Sequence, residues 1–191
     1  VEEAAFGCNA AIFALPSKAL RKQVVRFAPY IENGVPGLCL TKGIELGTGA
    51  TMHDVLAEEL GVPSRVAVLS GPNHAEEVSQ GKIAASVIAC SDNETAAFFQ
   101  GLLATDRFRA YTTDDVVGVE VCAAAKNVYA IAAGIACELG CGDNAFAALL
   151  ARACAEMSRL VVAAGGREST CLGLAGVGDL VATCSSGHSR N

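Results

Sequence analysis

From Gly118 to Asn144 the chain reads GVEVCAAAKNVYAIAAGIACELGCGDN, a long apolar helical pattern broken at one point by a lysine. A helix of this composition belongs in an interior, so any fold must accommodate Lys126. The positions three and four residues away are Cys122, Ala123, Tyr129 and Ala130, and none offers a local counter-charge. Cys122, Ala123, Ala130, Ala133 and Gly134 surround it with a small-residue face that lets another backbone or a small ligand come close. Most helical lysines instead run their stems along the surface and keep the ammonium in water. A lysine held in an apolar site has its charged form disfavoured, moving its pKa from about 10.4 towards neutrality and making it a plausible general base.

With 52% hydrophobic residues in 191, the chain can bury a substantial core, as one large domain or two small ones. The apolar run from Val128 to Cys137 is bounded by Lys126, Asn127 and Glu138, short of the roughly 18 apolar residues of a membrane span. This reads as a buried helix, with no membrane. A net charge of -6 and a pI near 5.0 argue against nucleic acid, whose phosphates call for a broad basic surface, so any anion site is local. Nine cysteines, at 8, 39, 90, 122, 137, 141, 154, 171 and 184, lack the paired CxxC spacing of zinc sites. They are expected as small buried hydrophobes in a reducing cytoplasm, with no metal. Val1 to Ala5 resembles the tail of a helix, and Ser189-Arg190-Asn191 carries no terminating pattern, so a fragment of a longer chain is expected.

Short apolar runs alternate with amphipathic ones through the first part. Strands are expected at Ala10 to Leu15, Leu38 to Leu40, Arg65 to Leu69, Ala85 to Ala89 and Phe108 to Thr112. Helices are expected from Ser17 (as N-cap), from Met52 to Leu60, Glu76 to Gln80 and Asn93 to Leu103. This alternation indicates βαβ units and a mainly parallel sheet. Ligands collect at the carboxyl ends of such strands, where Pro16-Ser17, Lys42 and the turn Ser70-Gly71-Pro72 fall. The pattern changes near Val116 to two long helices, Val119 to Leu139 and Asn144 to Ala164, the second capped by Asp143 or Asn144 and ended by Gly165-Gly166. Gly173 to Asn191, rich in glycine and serine, reads as loop-like and carries Asp179, His188 and Arg190.

Three polar residues invite a chemical reading. His74, beside Pro72, is more often a packing residue than a ligand. Asp179 either caps a helix or orients a catalytic lysine, caps being the commoner role. Arg190 is either a solvated charge or, with Ser189 and Asn191, a bidentate site for a phosphate.

Taken together, SGPNHAEEV at 70–78, GVEVCAAAKNVYAIAAGIACELGCGDNAFAALLARACAEM at 118–157 and GLAGVGDLVATCSSGHSRN at 173–191 resemble bacterial-type NAD(P)-dependent glycerol-3-phosphate dehydrogenase, over essentially the whole chain. The resemblance implies an α/β Rossmann-type parallel sheet domain lacking its N-terminal part, residues 1–116. An all-α domain lacking its C-terminal part, residues 117–191, would follow it. It implies interconversion of sn-glycerol 3-phosphate and dihydroxyacetone phosphate by hydride transfer with NAD or NADP, feeding glycerophospholipid synthesis in the cytoplasm. Lys126 matches the family's proton acceptor. Lys42, in Thr41-Lys42-Gly43, matches a lysine that contacts both substrate and cofactor. Gly71 and Asn73 match substrate-binding positions, and Ala75 a cofactor-binding one. Asp179, Ser189, Arg190 and Asn191 match the polar substrate set, with Arg190 also near the cofactor. The sequence departs from the family at Cys122-Ala123, where small residues, often glycines, are usual, and at Asn73, where threonine or serine is common. The Gly-rich turn that binds the pyrophosphate is not among these residues and is expected upstream.

Two other readings stay open: a hydroxy-acid reductase of the same architecture, against which the Ser-Arg-Asn phosphate site argues, and a non-catalytic binding module that kept the fold. The partner expected is a small phosphorylated substrate, and the apolar helical region makes a homodimer reasonable.

Overall fold

A computed structural model describes residues 2–185, so His188, Ser189, Arg190 and Asn191 lie outside the described residues. Helix α1 (Glu2–Ala5) leads to strand β1 (Ala11–Phe13), followed by α2 (Ser17–Phe27), β2 (Gly37–Cys39), α3 (Met52–Leu60), β3 (Val66–Ser70), α4 (Ala75–Ser79), β4 (Ala84–Ala89), α5 (Asn93–Leu103) and β5 (Phe108–Thr113). The strands form one sheet in the order β1-β2-β3-β4-β5. β1, β2 and β3 are parallel, as are β4 and β5, but β4 runs antiparallel to β3. This one reversal departs from simple βαβ alternation, and the length of α4 explains it. Five residues of helix rise only about 7.5 Å, too little to carry the chain back along a strand, so β4 starts at the end where β3 stops.

Side chains on β3 alternate between two cores, as the pleat requires. Val66 and Val68 pack with Leu20 and Val24 of α2 and Val55 and Leu56 of α3. Ala67 and Leu69 face the other way, against Ile88 of β4 and Ala96 and Phe99 of α5. Burying a side chain of this kind stabilises by about 1.5–3 kcal/mol, so the two faces together hold the sheet.

Helices α6 (Val116–Glu138) and α7 (Gly142–Ala163) follow, then α8 (Glu168–Cys171), a π-helical turn at Leu174–Gly178 and α9 (Asp179–Ser185). A third core joins Cys122 of α6, Ala153, Met157 and Val161 of α7, Cys171 of α8 and Leu180 of α9. Val119 belongs to the first core and Cys122, less than a turn later, to the third, so α6 links sheet and helices. Its start is fixed by Asp115, which accepts from Gly118 N at 3.0 Å and from Arg167 N at 2.9 Å and also takes the Thr170 hydroxyl. By length and composition alone α6 would reach across a membrane, although its longest uninterrupted apolar run is short. Buried Glu120 and Lys126 are both engaged by other elements, as a packed interior helix requires.

Several local expectations are corrected. Pro16, not Ser17, stands at the N-cap of α2, with no side-chain capping bond, because the extended proline leads directly into the helix. α7 starts at Gly142, so neither Asp143 nor Asn144 is its cap; Asp143 sits in the first turn, where its charge suits the helix dipole. Gly173 to Ser185 is not a loop. Gly176 serves close packing there: a Cβ on it would lie 1.9 Å from the carbonyl oxygen of Cys171. Cys39, Cys90, Cys122 and Cys171 are buried as expected, whereas Cys137 and Cys141 are exposed at the turn between α6 and α7.

Glu120 is 1% exposed and accepts from Met52 N at 3.3 Å and His53 N at 3.2 Å at the start of α3. Burial pushes its carboxyl up to about 8, against the two amides that favour the charged form. The native state therefore keeps a proton that the unfolded chain releases at its ordinary carboxylate pKa, and this group lowers stability as pH rises from about 4.5 to 8. Urea midpoints measured across that window should fall more steeply for the parent than for Glu120→Gln. Parallel profiles would show that Glu120 does not titrate there.

Candidate functional site

The carboxyl ends of β1 and β2 are stitched together by Thr41, whose hydroxyl donates to Leu15 O at 2.8 Å and accepts from Leu15 N at 3.2 Å. That stitch sets the direction in which the next residue, Lys42, leaves the sheet. Its Nζ donates to Asp179 Oδ2 at 2.7 Å. From the opposite side, Lys126 Nζ on α6 donates to Asp179 Oδ1 at 2.6 Å and to Thr183 Oγ1 at 2.9 Å. Asp179 is the first residue of α9 and only 2% exposed, and Thr183, one turn later, donates its hydroxyl to the carbonyl oxygen of Asp179 at 2.7 Å.

One carboxylate is therefore shared by two ammonium groups in a largely dry setting, leaving local positive charge in a chain whose net charge is -6. Lys126, 7% exposed, is not an unpaired lysine: its counter-charge comes from Asp179, far along the chain. Burial pushes the Lys42 ammonium below its ordinary pKa and the adjacent Lys126 charge adds to this, while Asp179 acts in the other direction.

The remaining wall is the turn after β3. Ser70, its last residue, is completely buried and places its hydroxyl 3.5 Å from Asp179 Oδ2. Gly71 has φ +143°, and a Cβ there would lie 2.9 Å from Ser86 Cα, so glycine is required by both conformation and space. Asn73 Nδ2 donates to Ser86 Oγ at 2.9 Å. His74 Nε2 lies 3.3 Å from Ala182 O, so this histidine joins the turn to α9. Beside Lys42 a groove of about 900 Å³ runs over the second face of the sheet, bordered by Asn73 and Ala75 and walled by Ile12, Leu38 and Leu40.

The structure thus brings Lys42 and Lys126 onto Asp179 and puts Asn73 and Ala75 with Lys42 along the groove, while Gly71 packs on Ser86 directly after Ser70. Ser189, Arg190 and Asn191 lie outside the described residues. Sequence reasoning placed Ser70 only within the turn at the strand ends, and missed Ser86 and Thr183. Thr183 was readable only once the segment is a helix, since the i to i+4 spacing from Asp179 then puts both on one face. Such a cluster can attract an anion, hold a proton at Lys126 Nζ and orient it through Asp179 and Thr183.

A family profile described as NAD-dependent glycerol-3-phosphate dehydrogenase N-terminus matches residues 1–96, and one described as the C-terminus of the same enzyme matches residues 115–191. Among curated proteins, glycerol-3-phosphate dehydrogenase [NAD(P)+] of Thermobifida fusca is 48% identical over 192 residues, covering 100% of this chain and 57% of its own length. A crystal structure of glycerol-3-phosphate dehydrogenase from Coxiella burnetii matches with TM-score 0.93 and 38% identity, covering 100% of this chain and 58% of that one. The corresponding enzyme of Saccharomyces cerevisiae matches with TM-score 0.86 and 27% identity, over 97% and 56%. The chain therefore spans somewhat less than three fifths of the length of these relatives.

Removing Asp179 would leave the buried Lys126 ammonium and the half-buried Lys42 ammonium facing each other. Breaking a buried ion pair by deleting one partner costs about 3–5 kcal/mol, whereas replacing all its members by apolar side chains is often neutral. Asp179→Ala should lower the urea midpoint strongly, and Lys42→Met/Lys126→Met/Asp179→Leu should recover most of the loss. An unchanged midpoint in Asp179→Ala would show that the cluster contributes nothing to stability.

Proposed function

The chain belongs to the NAD-dependent glycerol-3-phosphate dehydrogenase family, and from that premise we propose that the protein interconverts sn-glycerol 3-phosphate and dihydroxyacetone phosphate with NAD or NADP. The observation that carries the reading is the Lys126–Asp179–Lys42 cluster, where α6 meets the sheet. In this proposal residues 1–116 belong to the dinucleotide-binding domain and residues 117–191 to the helical substrate domain. The nicotinamide, when bound, gives or takes the hydride at carbon 2 of the substrate. The groove beside Lys42 has the fit for such a group: apolar sheet walls for a ring, with Asn73 and Ala75 at its edge.

Lys126 is the proton carrier. In reduction its ammonium gives a proton to the oxygen of the carbonyl as hydride reaches the carbon; in oxidation the neutral amine takes the hydroxyl proton. Asp179 holds the amine in place and, with Thr183, leaves one ammonium hydrogen to point elsewhere. Lys42 lines the groove and donates to Asp179, which supports the reading that it contacts both cofactor and substrate. In this reading Gly71 and Asn73 bind the substrate, and Ser189, Arg190 and Asn191 hold its phosphate, a non-reacting handle that orients the reacting carbon. In the same reading Arg190 also serves the cofactor. The same reading makes the protein a cytoplasmic enzyme of phospholipid synthesis and a homodimer, acting on a small phosphorylated substrate.

A non-catalytic module fits less well. Anion binding alone would call for positive charge, but not for a buried amine that Asp179 and Thr183 together hold in one orientation.

The test is turnover of the full-length enzyme carrying Lys126→Met, which keeps most of the apolar stem and loses the amine. Turnover should fall on the order of 10²- to 10⁴-fold while circular dichroism shows an intact fold. A folded Met variant with near-parental turnover would remove Lys126 from the chemistry.

A further inference from the structure

Glu120 is the one buried acidic side chain of α6 that the reaction above does not use. It precedes Lys126 by six residues, about 9 Å along the helix axis. Its two oxygens take two consecutive amides, Met52 N and His53 N, at the first residues of α3. The next amide, that of Asp54, goes to Thr51 Oγ1 at 3.2 Å, and Asp54 Oδ2 accepts in return from Thr51 N at 3.2 Å. The start of α3 is thus held by its own capping box and by the carboxyl group of Glu120 from another helix.

These amides close the segment that carries Lys42. At its beginning Thr41 is stitched to Leu15. In between, Ile44 bridges Thr51, Glu45 N donates to Ala50 O at 2.9 Å, and Arg21 grips Glu45 through Nε at 2.8 Å and Nη2 at 2.9 Å. A segment folded this tightly moves as one piece, so whatever fixes Met52 and His53 also fixes Lys42.

The packing of α6 gives this contact more to do than fill a hole. Near Lys126 its buried positions are Cys122, Ala123, Ala130 and Ala133. Small side chains let helices approach closely but interlock weakly, because no large ridge sits in a groove to resist sliding or rotation. The register of α6 then depends on directional polar contacts. Asp115 holds its first turn, and the bidentate Glu120 contact adds a second point at a different angle around the axis.

We propose that Glu120 is a positioning residue: by clamping α6 to the first amides of α3 it sets the placement of Lys126 Nζ relative to Lys42. This rests on the reading of Lys126 as the proton carrier. Glu120 touches neither substrate nor cofactor, and it acts through the distance between the two lysines that share Asp179.

The experiment is steady-state reduction of dihydroxyacetone phosphate by the full-length enzyme, in Glu120→Gln, Glu120→Met, Lys126→Met and the double variant Glu120→Gln/Lys126→Met. Glu120→Met keeps the length and loses both acceptors, and kcat should fall on the order of ten- to hundredfold with KM within about threefold of the parent. Glu120→Gln retains one acceptor and should fall between the two; it decides the matter should the Met variant fail to fold. The double variant should be no slower than Lys126→Met alone, because a residue that acts through Lys126 has nothing to place once the amine is gone. Folded Glu120 variants with parental kcat and only a lower melting temperature would overturn the proposal, as would losses that multiply in the double variant. Should Lys126→Met itself turn over like the parent, the failure would lie in the proton-carrier reading instead.

Discussion

Everything in the site depends on one carboxylate shared by two ammonium groups. Asp179 is nearly inaccessible to water, and its two oxygens point to lysines on the loop after β2 and on the middle of α6. The desolvation of three charges offsets much of their mutual attraction, so the arrangement is a poor device for stability. Its effect is on geometry: displacing either lysine breaks one of the two charge-assisted hydrogen bonds that Asp179 accepts, and a displaced Lys126 loses its counter-charge in a buried place. The loop, α6 and α9 are held in one relative placement for that reason.

The rest of the molecule delivers those three side chains. Thr41 joins two strand ends and aims Lys42, Asp115 anchors the start of α6, and the glycine-containing turn before α9 lets Asp179 approach. α6 carries residues of two cores within one turn, Val119 towards the sheet and Cys122 towards the helices. The charged cluster sits at the seam between the sheet and the helices, where the loop after β2 meets α6 and α9.

Period-two and helical patterns made most elements legible in the sequence, because each buries a face that repeats along the chain. Lys126 was legible as an anomaly, a charge where the pattern demands an apolar residue. Its partner was legible only as one of two roles open to Asp179, helix cap or lysine orienter, since the contact depends on tertiary packing that no local spacing encodes. Gly173 to Ser185 was misread because glycine marks both turns and tight helix packing, and only the neighbouring Cys171 carbonyl distinguishes the two. Strand direction is likewise a property of the connection, and the short α4 reverses β4 without leaving a mark on the composition of β4 itself.

That reversal puts the beginning of β4 beside the end of β3, so Ser86, near the beginning of its strand, stands against Gly71, just past the end of another. In a wholly parallel sheet the two would lie at opposite ends. The hydrogen of Gly71 occupies the only space left by the backbone at Ser86, while the Ser86 hydroxyl takes the Asn73 amide. Positions 71, 73 and 86 therefore constitute one mutational unit: a substitution at any of them alters the room or the bonding available to the other two, and tolerated changes should arise together.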